Sequence, residues 1–212
     1  MKRFILAALP VIFFLTAPAQ PSVTIGTQTW MSHNLSVTTY RNGDPIPQVT
    51  MAQLATTNTG AWCYYNNDPA NGPIYGKLYN WYAVNDPRGL APLHWHVASA
   101  AEWDVLTNFL GGPNIACGKL KKRGAIWLSP NLIANPDSYF NAVPGGICAN
   151  GVKVDKGLTA YFWTSTSSSS QVALIRVLHG NITAISASGE RKNYALSVRC
   201  IADPVTVING PK

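Results

Sequence analysis

The chain has 212 residues and a formal net charge of +7, and only 12% of its residues are charged, against about a quarter in a typical domain. Seven Trp, nine Tyr and six Phe accompany 17 Gly and 15 Pro, which favours a loop-rich domain packed around aromatic rings and argues against a helical one. We expect residues 1–19 to be an export signal, residues 20–203 a single domain and residues 204–212 a C-terminal tail.

Three features of the first residues predict the export signal. Lys2 and Arg3 give a charged start, an apolar run from Phe4 to Leu15 follows, and small residues precede a cleavage point after Ala19. The apolar run is shorter than the roughly 20 residues that cross a bilayer, and no second long apolar segment follows. The mature protein is therefore expected to have no membrane span and to be secreted, extracellular or on the cell surface, with the periplasm as another possibility.

Basic residues are concentrated at one place, which comprises Lys119, Lys121, Lys122 and Arg123. In a cytosolic protein such a cluster would suggest binding of nucleic acid or phosphate. In an exported protein, a solvated face or charges that protect an edge strand are the simpler interpretations. We therefore expect no nucleic-acid partner.

Two short helices are predicted in the first half of the chain. Apolar and aromatic residues recur at i, i+3, i+4 and i+7 from Tyr75 to Tyr82, which favours a helix that ends before Pro87. The second helix begins at a capping box, in which the Ser99 hydroxyl accepts the amide of Glu102 and the Glu102 side chain reaches back to Ser99. An apolar stripe follows this box and confirms the helical period.

The C-terminal third of the chain has the pattern of strands. Alternating residues predict strands at 172–178, 182–186 and 194–201, separated by turns over 179–181 and 187–190. Because short turns join neighbouring strands, we expect a three-stranded antiparallel meander. Two short helices, long loops and this meander together predict an α+β fold.

Eight stretches, in this order, resemble the Fibrobacter succinogenes major paralogous domain, a family of exported bacterial proteins. They lie at residues 25–31, 64–68, 75–84, 95–97 with 102–103, 118–121, 144–146, 162–166 and 197–200, so the resemblance runs from about residue 22 to 203. The resemblance implies a C-type-lectin-like fold, in the variant found in formylglycine-generating enzymes. In that fold short helices flank twisted antiparallel sheets, and long loops present the working surface.

The cysteines depart from the family pattern. Ala91 stands where the family usually has a cysteine, which we would expect to pair with Cys200. Cys117 and Cys148 are additions, and we expect a disulfide between them because a paired gain is simpler than two unrelated gains. Cys63 and Cys200 would then be buried thiols or a second bridge, and four reduced cysteines are the alternative.

His94 and His96 are the strongest candidates for chemistry, and His94 replaces a residue that is usually glycine in the family. Alternate residues of a strand share a face, but a metal site needs several convergent ligands. The simpler interpretation places His96 beside the Ser99 cap, with its ring bonded to backbone, and His94 at the surface. Relatives in the wider fold that the resemblance implies include a copper-using oxidase that works through a reactive cysteine pair. No two cysteines of this chain are close in sequence, so that activity is not expected here. We therefore expect no catalytic residue, metal or cofactor.

The stretch 167–193 resembles the family least, whereas its flanks keep the family pattern. A constant frame around a divergent insert is typical of a binding surface on a rigid scaffold. The candidate ligand-binding residues are Gln171, Leu174, Arg176, Leu178, His179, Asn181, Thr183, Ser186, Ser188 and Arg191. We therefore expect a secreted or surface-exposed, non-catalytic binding or adhesion module that recognises a protein or a carbohydrate. An enzyme related to formylglycine-generating oxidases and a structural component of a surface assembly are the alternatives.

Overall fold

The computed structural model describes residues 20–129 and 138–204. Within these ranges the chain forms twelve β-strands and five short α-helices. The strands are β1 (Ser22–Ile25), β2 (Gln28–Met31), β3 (Trp62–Cys63), β4 (Leu78–Asn80), β5 (Trp95–Val97), β6 (Ile147–Ala149), β7 (Val152–Val154), β8 (Thr159–Ser167), β9 (Val172–His179), β10 (Ile185–Arg191), β11 (Ala195–Val198) and β12 (Cys200–Ala202). The helices are α1 (Met51–Leu54), α2 (Gly72–Tyr75), α3 (Trp81–Val84), α4 (Ala100–Phe109) and α5 (Pro113–Leu120).

Two sheets organise the fold. The smaller sheet has the order β1-β2-β12-β5, and the larger has the order β10-β9-β8-β11-β4-β3, with β6 beside β11 and β7 beside β6. Most strand pairs are antiparallel, and β8 and β11 pair in parallel. Arg199 alone separates β11 from β12, so the chain passes from one sheet to the other within a single residue. These short helices and mainly antiparallel sheets confirm the α+β class, whereas the lectin-like assignment stays a prediction.

The core is rich in aromatic rings, as the composition indicates. Trp30 and Trp103 are fully buried, and their ring centroids lie 5.1 Å apart. Phe140 packs edge-on against Trp30 at 5.6 Å, and Phe162 lies 5.4 Å from Trp103. Such tilted and edge-on contacts are the arrangements that the ring quadrupoles favour, so the cluster joins the smaller sheet to α4 and β8.

The second predicted helix is confirmed and the first is wrong. In α4 the Ser99 hydroxyl accepts the Glu102 amide at 3.2 Å, and the Glu102 carboxylate accepts the Ser99 amide at 2.7 Å. The predicted helix around residues 75–84 is instead divided into the end of α2, the strand β4 and the one-turn helix α3. Gly76 ends α2 with a φ of +76°, and pairing of β4 with β3 and β11 satisfies the backbone that a helix would have satisfied internally.

The C-terminal meander exists, but its strands differ from the prediction. β8, β9 and β10 form the meander, and the residues predicted as a turn at 187–190 lie inside β10. The predicted strand at 194–201 is divided into β11 and β12 by Arg199, and β11 lies beside β8 rather than beside β10. β10 is at the edge of its sheet and about half of its side chains are exposed, so small and polar residues are tolerated there. In the sequence these residues have the composition of a turn.

The longest helix in the described ranges, α4, has ten residues, and no described helix is long and apolar enough to cross a membrane. The expected export signal and the tail beyond residue 204 lie outside the described residues.

Candidate functional site

Two adjoining cavities, which share Asn58 and Tyr82 in their walls, form one groove that we call the polar groove. The first has a volume of about 420 Å³ and the second about 290 Å³. The first cavity is lined by Pro45, Pro47, Asn58, Thr59, Gly60, Trp81, Tyr82, Asn85, Asp86, Pro87 and Arg88. The second is lined by Ala55, Thr56, Thr57, Asn58, Tyr82, Gln171, Arg191, Lys192 and Asn193. Amide and hydroxyl groups therefore surround the ring of a half-buried tyrosine.

The wall between the two cavities is the loop after α1, residues 55–60, which we call the wall loop. Asn80, whose side chain also caps α3, donates a hydrogen bond to the Thr59 carbonyl at 2.8 Å. At the other end, the Asn193 amide donates to the Ala55 carbonyl at 2.6 Å. Because β4 and the turn between β10 and β11 hold this loop at both ends, the groove has a defined shape before any ligand enters.

The floor of the groove is equally well fixed. The Trp81 ring is buried, and its Nε1 donates to the Thr164 carbonyl at 2.9 Å. The Trp81 amide donates to the Lys192 carbonyl at 2.9 Å, and the Lys192 Nζ lies 4.2 Å from the indole centroid. This cation–π contact holds the buried lysine against the ring.

An ion-pair network lies at the far end of the first cavity. Arg88 donates to both carboxylate oxygens of Asp86, at 2.8 and 2.9 Å, and to Asp44 at 3.1 Å. The guanidinium also stacks over the Tyr40 ring at 4.0 Å. The hydrogen bonds from Arg88 lower the pKa of Asp86 to about 2, so this carboxylate is ionised and already engaged at neutral pH.

The structure distributes the ten side chains predicted from the sequence over three environments. Gln171 and Arg191 are exposed and line the second cavity. The remaining exposed or half-buried members, which lie elsewhere on β9, β10 and their connection, are Leu174, His179, Asn181, Thr183, Ser186 and Ser188. Only two of the ten therefore belong to the polar groove.

Arg176 and Leu178 form the third environment, because both are buried, and the expectation that their side chains are available to a ligand is wrong. The strands β9 and β10 form a two-stranded ribbon, and helices α4 and α5 cover the face of this ribbon that carries Arg176 and Leu178. Arg176 donates to the Asp104 carboxylate at 2.6 Å and to the Ala100 carbonyl at 2.9 Å, both on α4. Its guanidinium fastens the helix to the sheet.

Sequence reasoning missed the residues at the centre of the groove. Tyr82 was assigned to the apolar face of a helix, whereas it is half-buried and shared by both cavities. Asn58 lies outside every helix and strand that the sequence predicted. The run of Thr and Asn from Thr56 to Thr59 was the available signal, since such residues between buried Leu54 and Gly60 have polar groups that must face outward.

His96 lies between two carboxylates, and the expected bonds to backbone are wrong. Its Nδ1 is 2.8 Å from Asp203 and its Nε2 is 2.7 Å from Glu102, so both ring nitrogens have an acidic partner. Partial burial lowers the pKa of His96, but the hydrogen bonds that its ring nitrogens donate to the Glu102 and Asp203 carboxylates outweigh this effect, so the net shift of the pKa is upward. His94 is exposed with a left-handed φ of +67°, and no group of three metal-binding side chains is found among the described residues.

The predicted Cys117–Cys148 disulfide is wrong. Cys117 lies in α5, and its thiol points at the His179 and Ile182 carbonyls, each at 3.6 Å, at the end of β9 and in its connection to β10. Cys148 belongs to a different hydrophobic cluster and contacts Cys63. All four cysteines lie within the described ranges and are free, buried thiols.

The basic cluster is not a uniform solvated face. Lys122 and Arg123 are exposed, whereas Lys121 is fully buried. The Lys121 Nζ donates to the Gly180 and Ile182 carbonyls at 2.9 and 3.3 Å, and thereby binds the turn between β9 and β10. The solvated interpretation is therefore wrong for this lysine, which holds the ribbon in place.

Comparison with known proteins identifies a family but no individual relative. No curated protein and no solved structure matches the chain. The model of the Fibrobacter succinogenes major domain matches residues 23–202, which include all twelve strands except the first residue of β1. The chain therefore belongs to the Fibrobacter succinogenes major domain family.

Proposed function

We propose that this chain is an exported, non-catalytic recognition module that binds a segment of polysaccharide in the polar groove. The observation that carries the proposal is the Tyr82 ring, which lies at the junction of two cavities between side-chain amides and hydroxyls. A sugar ring presents an apolar C–H face and a rim of hydroxyls. It therefore matches an aromatic surface surrounded by groups that both donate and accept hydrogen bonds.

The polar side chains of the groove favour a carbohydrate over a folded protein partner. Asn58, Asn85 and Asn193 each carry a donor and an acceptor, so they can bind vicinal hydroxyls in either role. The two cavities measure about 420 and 290 Å³, and concave sites of about this size suit small or extended ligands rather than flat protein surfaces. Exposed Arg191 and buried Lys192 give the second cavity a positive charge, which favours an acidic sugar at that end.

The proposed absence of catalysis rests on the state of the groove's carboxylate. Hydrolysis of a glycosidic bond requires two carboxyl groups, of which one is protonated to act as the acid. Among the described residues that line the groove, Asp86 is the only carboxylate, and its pKa of about 2 keeps it ionised. Its oxygens also accept hydrogen bonds from Arg88, so it is a poor acid and a poor base.

The experiment that tests this function applies the chain from residue 20 onward to parallel arrays of polysaccharides and of peptides. Titration calorimetry then gives the affinity for the best polysaccharide. We expect Tyr82→Ala and Asn58→Ala each to weaken that affinity about tenfold, since each removes a contact worth about 1 kcal/mol or more. Circular dichroism checks that both variants remain folded.

Matched controls come from other surfaces of the same chain. Tyr139, which is 69% exposed, and Asn108 on α4 lie outside the groove, so Tyr139→Ala and Asn108→Ala should bind as the parent does. Binding that survives both groove substitutions, or hits confined to the peptide array, would contradict the proposal. Export is tested separately, because the amino terminus of protein recovered outside the cell should begin at residue 20.

A further inference from the structure

Cys63 and Cys148 lie 85 positions apart in the sequence and in contact in the fold. Cys63 ends β3 and Cys148 lies in β6, and both are completely or almost completely buried. They share one small hydrophobic cluster with Met51 and Leu54 of α1, and the Cys148 thiol points at the Met51 carbonyl at 3.8 Å. The pair therefore lies where three elements meet.

This meeting point lies directly behind the wall loop of the polar groove. The wall loop begins directly after Leu54, the last residue of α1, and one residue separates its end from β3, which carries Cys63. A covalent bond from Cys63 to Cys148 would connect the root of this loop to β6 on the far side of β11. It would add to the hydrogen bonds through which Asn80 and Asn193 already hold the loop.

We propose that Cys63 and Cys148 are a disulfide-forming pair, and that in a thiol-oxidising compartment their bond fastens the wall of the polar groove. The inference concerns the chain whether or not the groove binds polysaccharide, because it rests on the contact between the two thiols. Within the described ranges the other two cysteines have no thiol partner. Cys117 lies in α5, where its thiol contacts backbone carbonyls, and Cys200 lies in β12 in a different hydrophobic cluster.

The oxidant is a disulfide that exchanges with the protein thiols, such as oxidised glutathione. One protein thiolate attacks a sulfur of the oxidant, a mixed disulfide forms and one glutathione thiolate leaves. The second protein thiolate then displaces the other glutathione. The two protons and two electrons lost by the cysteines end on two molecules of reduced glutathione. In the folded chain the hydrogen bond between the two thiols lowers the pKa of Cys148 and raises that of Cys63.

The test refolds the chain from denaturant in oxidised glutathione and, in parallel, in excess reductant. Refolding is used because the pair is buried and exchange requires access. We expect the oxidised product to be lighter by about 2 Da and to yield one cross-linked peptide containing Cys63 and Cys148. Its melting temperature should exceed that of the reduced product by about 5–10 °C, because the bridge closes a long loop.

Two double variants serve as matched controls. Cys117→Ser with Cys200→Ser leaves the proposed pair and should give the same cross-link and the same rise in melting temperature. Cys63→Ser with Cys148→Ser should give neither. Four alkylated cysteines after oxidative refolding, or a bridge that includes Cys117 or Cys200, would overturn the inference. Peptide mapping of the parent chain decides this even if a double variant does not fold.

Discussion

The ribbon of β9 and β10 contains two regions with similar residue types and opposite roles. At one end Gln171 and Arg191 are exposed and open into the polar groove. Farther along β9, Arg176 is buried under α4, and every bond in which it takes part is internal to the protein. An arginine in a strand is therefore available to a ligand or contributes to the stability of the fold, depending on whether another element packs on it.

The difference lies in how far each polar group is already satisfied. Arg176 has a carboxylate and two carbonyls as partners, whereas Arg191 lies exposed at the edge strand. A buried donor that loses its partners costs free energy, and an exposed donor exchanges its partner for water. Substitutions should therefore divide into those that lower stability and those that lower affinity.

Among the side chains whose bonds are internal to the protein, Arg199 should have the largest effect on stability. Its guanidinium is fully buried and donates to Asn34, Met31, Phe140 and Asn141 over 2.6 to 3.1 Å. Substitution by leucine would leave these oxygens buried without a donor, at the point where the two sheets join. We expect the free energy of unfolding, measured with urea, to fall by about 3–5 kcal/mol.

Arg191→Leu is the control from the groove. The same chemical change at this exposed position should alter the free energy of unfolding by less than about 0.5 kcal/mol. If the two arginines lost equal stability, the division between framework and groove would be wrong.

Arg176 should show an intermediate effect. Arg176→Leu keeps the aliphatic part of the side chain and removes the bonds to α4, one of which ends on the largely exposed Asp104. We expect a loss of about 1–2 kcal/mol in the free energy of unfolding, discounted because solvent screens the carboxylate. Affinity in the groove should not change, which calorimetry with the array-selected polysaccharide can measure.

Asp104→Asn sharpens this prediction. The amide oxygen still accepts a hydrogen bond while the charge is removed, so the loss should be smaller than for Arg176→Leu. Weakened polysaccharide binding in either variant would place the recognition surface on the helix-covered face instead of in the groove.

Local signals in the sequence predicted the parts of the fold that local interactions determine. The capping box at Ser99 and Glu102 fixes the start of α4 through contacts three residues apart, and the structure has them as expected. By contrast, Leu78 to Asn80 have the spacing of a helix but form β4, because partners from distant parts of the chain complete their backbone bonds. Long-range pairing of this kind leaves no periodic signal.

The groove and the thiol pair escaped prediction for the same reason. Tyr82 and Arg191 lie 109 positions apart and meet only because β11 brings the end of the ribbon beside β4. The sequence argument paired Cys148 with Cys117 because both are additions to the family pattern, and the sequence contains no signal that the fold brings Cys148 to Cys63 instead. The strand β9 was predicted almost to its ends, but which of its side chains the helices would cover was not.

Among the substitutions expected to lower stability, the one with the smallest effect is at His96. This side chain is half-exposed but is bonded to Glu102 and Asp203, so it is intermediate between the buried arginines and the exposed groove residues. Its raised pKa means that the folded state binds the proton more tightly than the unfolded state, for which the usual value is 6.5. The ion pairs therefore stabilise the fold fully below that pH and less as pH rises through the folded pKa. The pKa of Glu102 is lowered from its ordinary value of 4.5, so its contribution to the free energy of unfolding is lost as the pH falls through the folded-state pKa.

The two shifts together predict that His96 contributes most to stability between pH 4.5 and pH 6.5, the ordinary pKa values of the two groups. We expect His96→Gln to cost up to about 1 kcal/mol near pH 5.5 and much less near pH 9, a range reduced by the partial exposure of all three side chains. Urea unfolding at both pH values measures the difference. His94→Gln, at an exposed position in the same segment, should shift stability by less than about 0.5 kcal/mol at either pH. A loss of stability in His96→Gln that grew with pH would contradict the upward shift of the His96 pKa. His96 would then belong with the exposed side chains rather than with the internally bonded ones, such as Arg199 and Arg176.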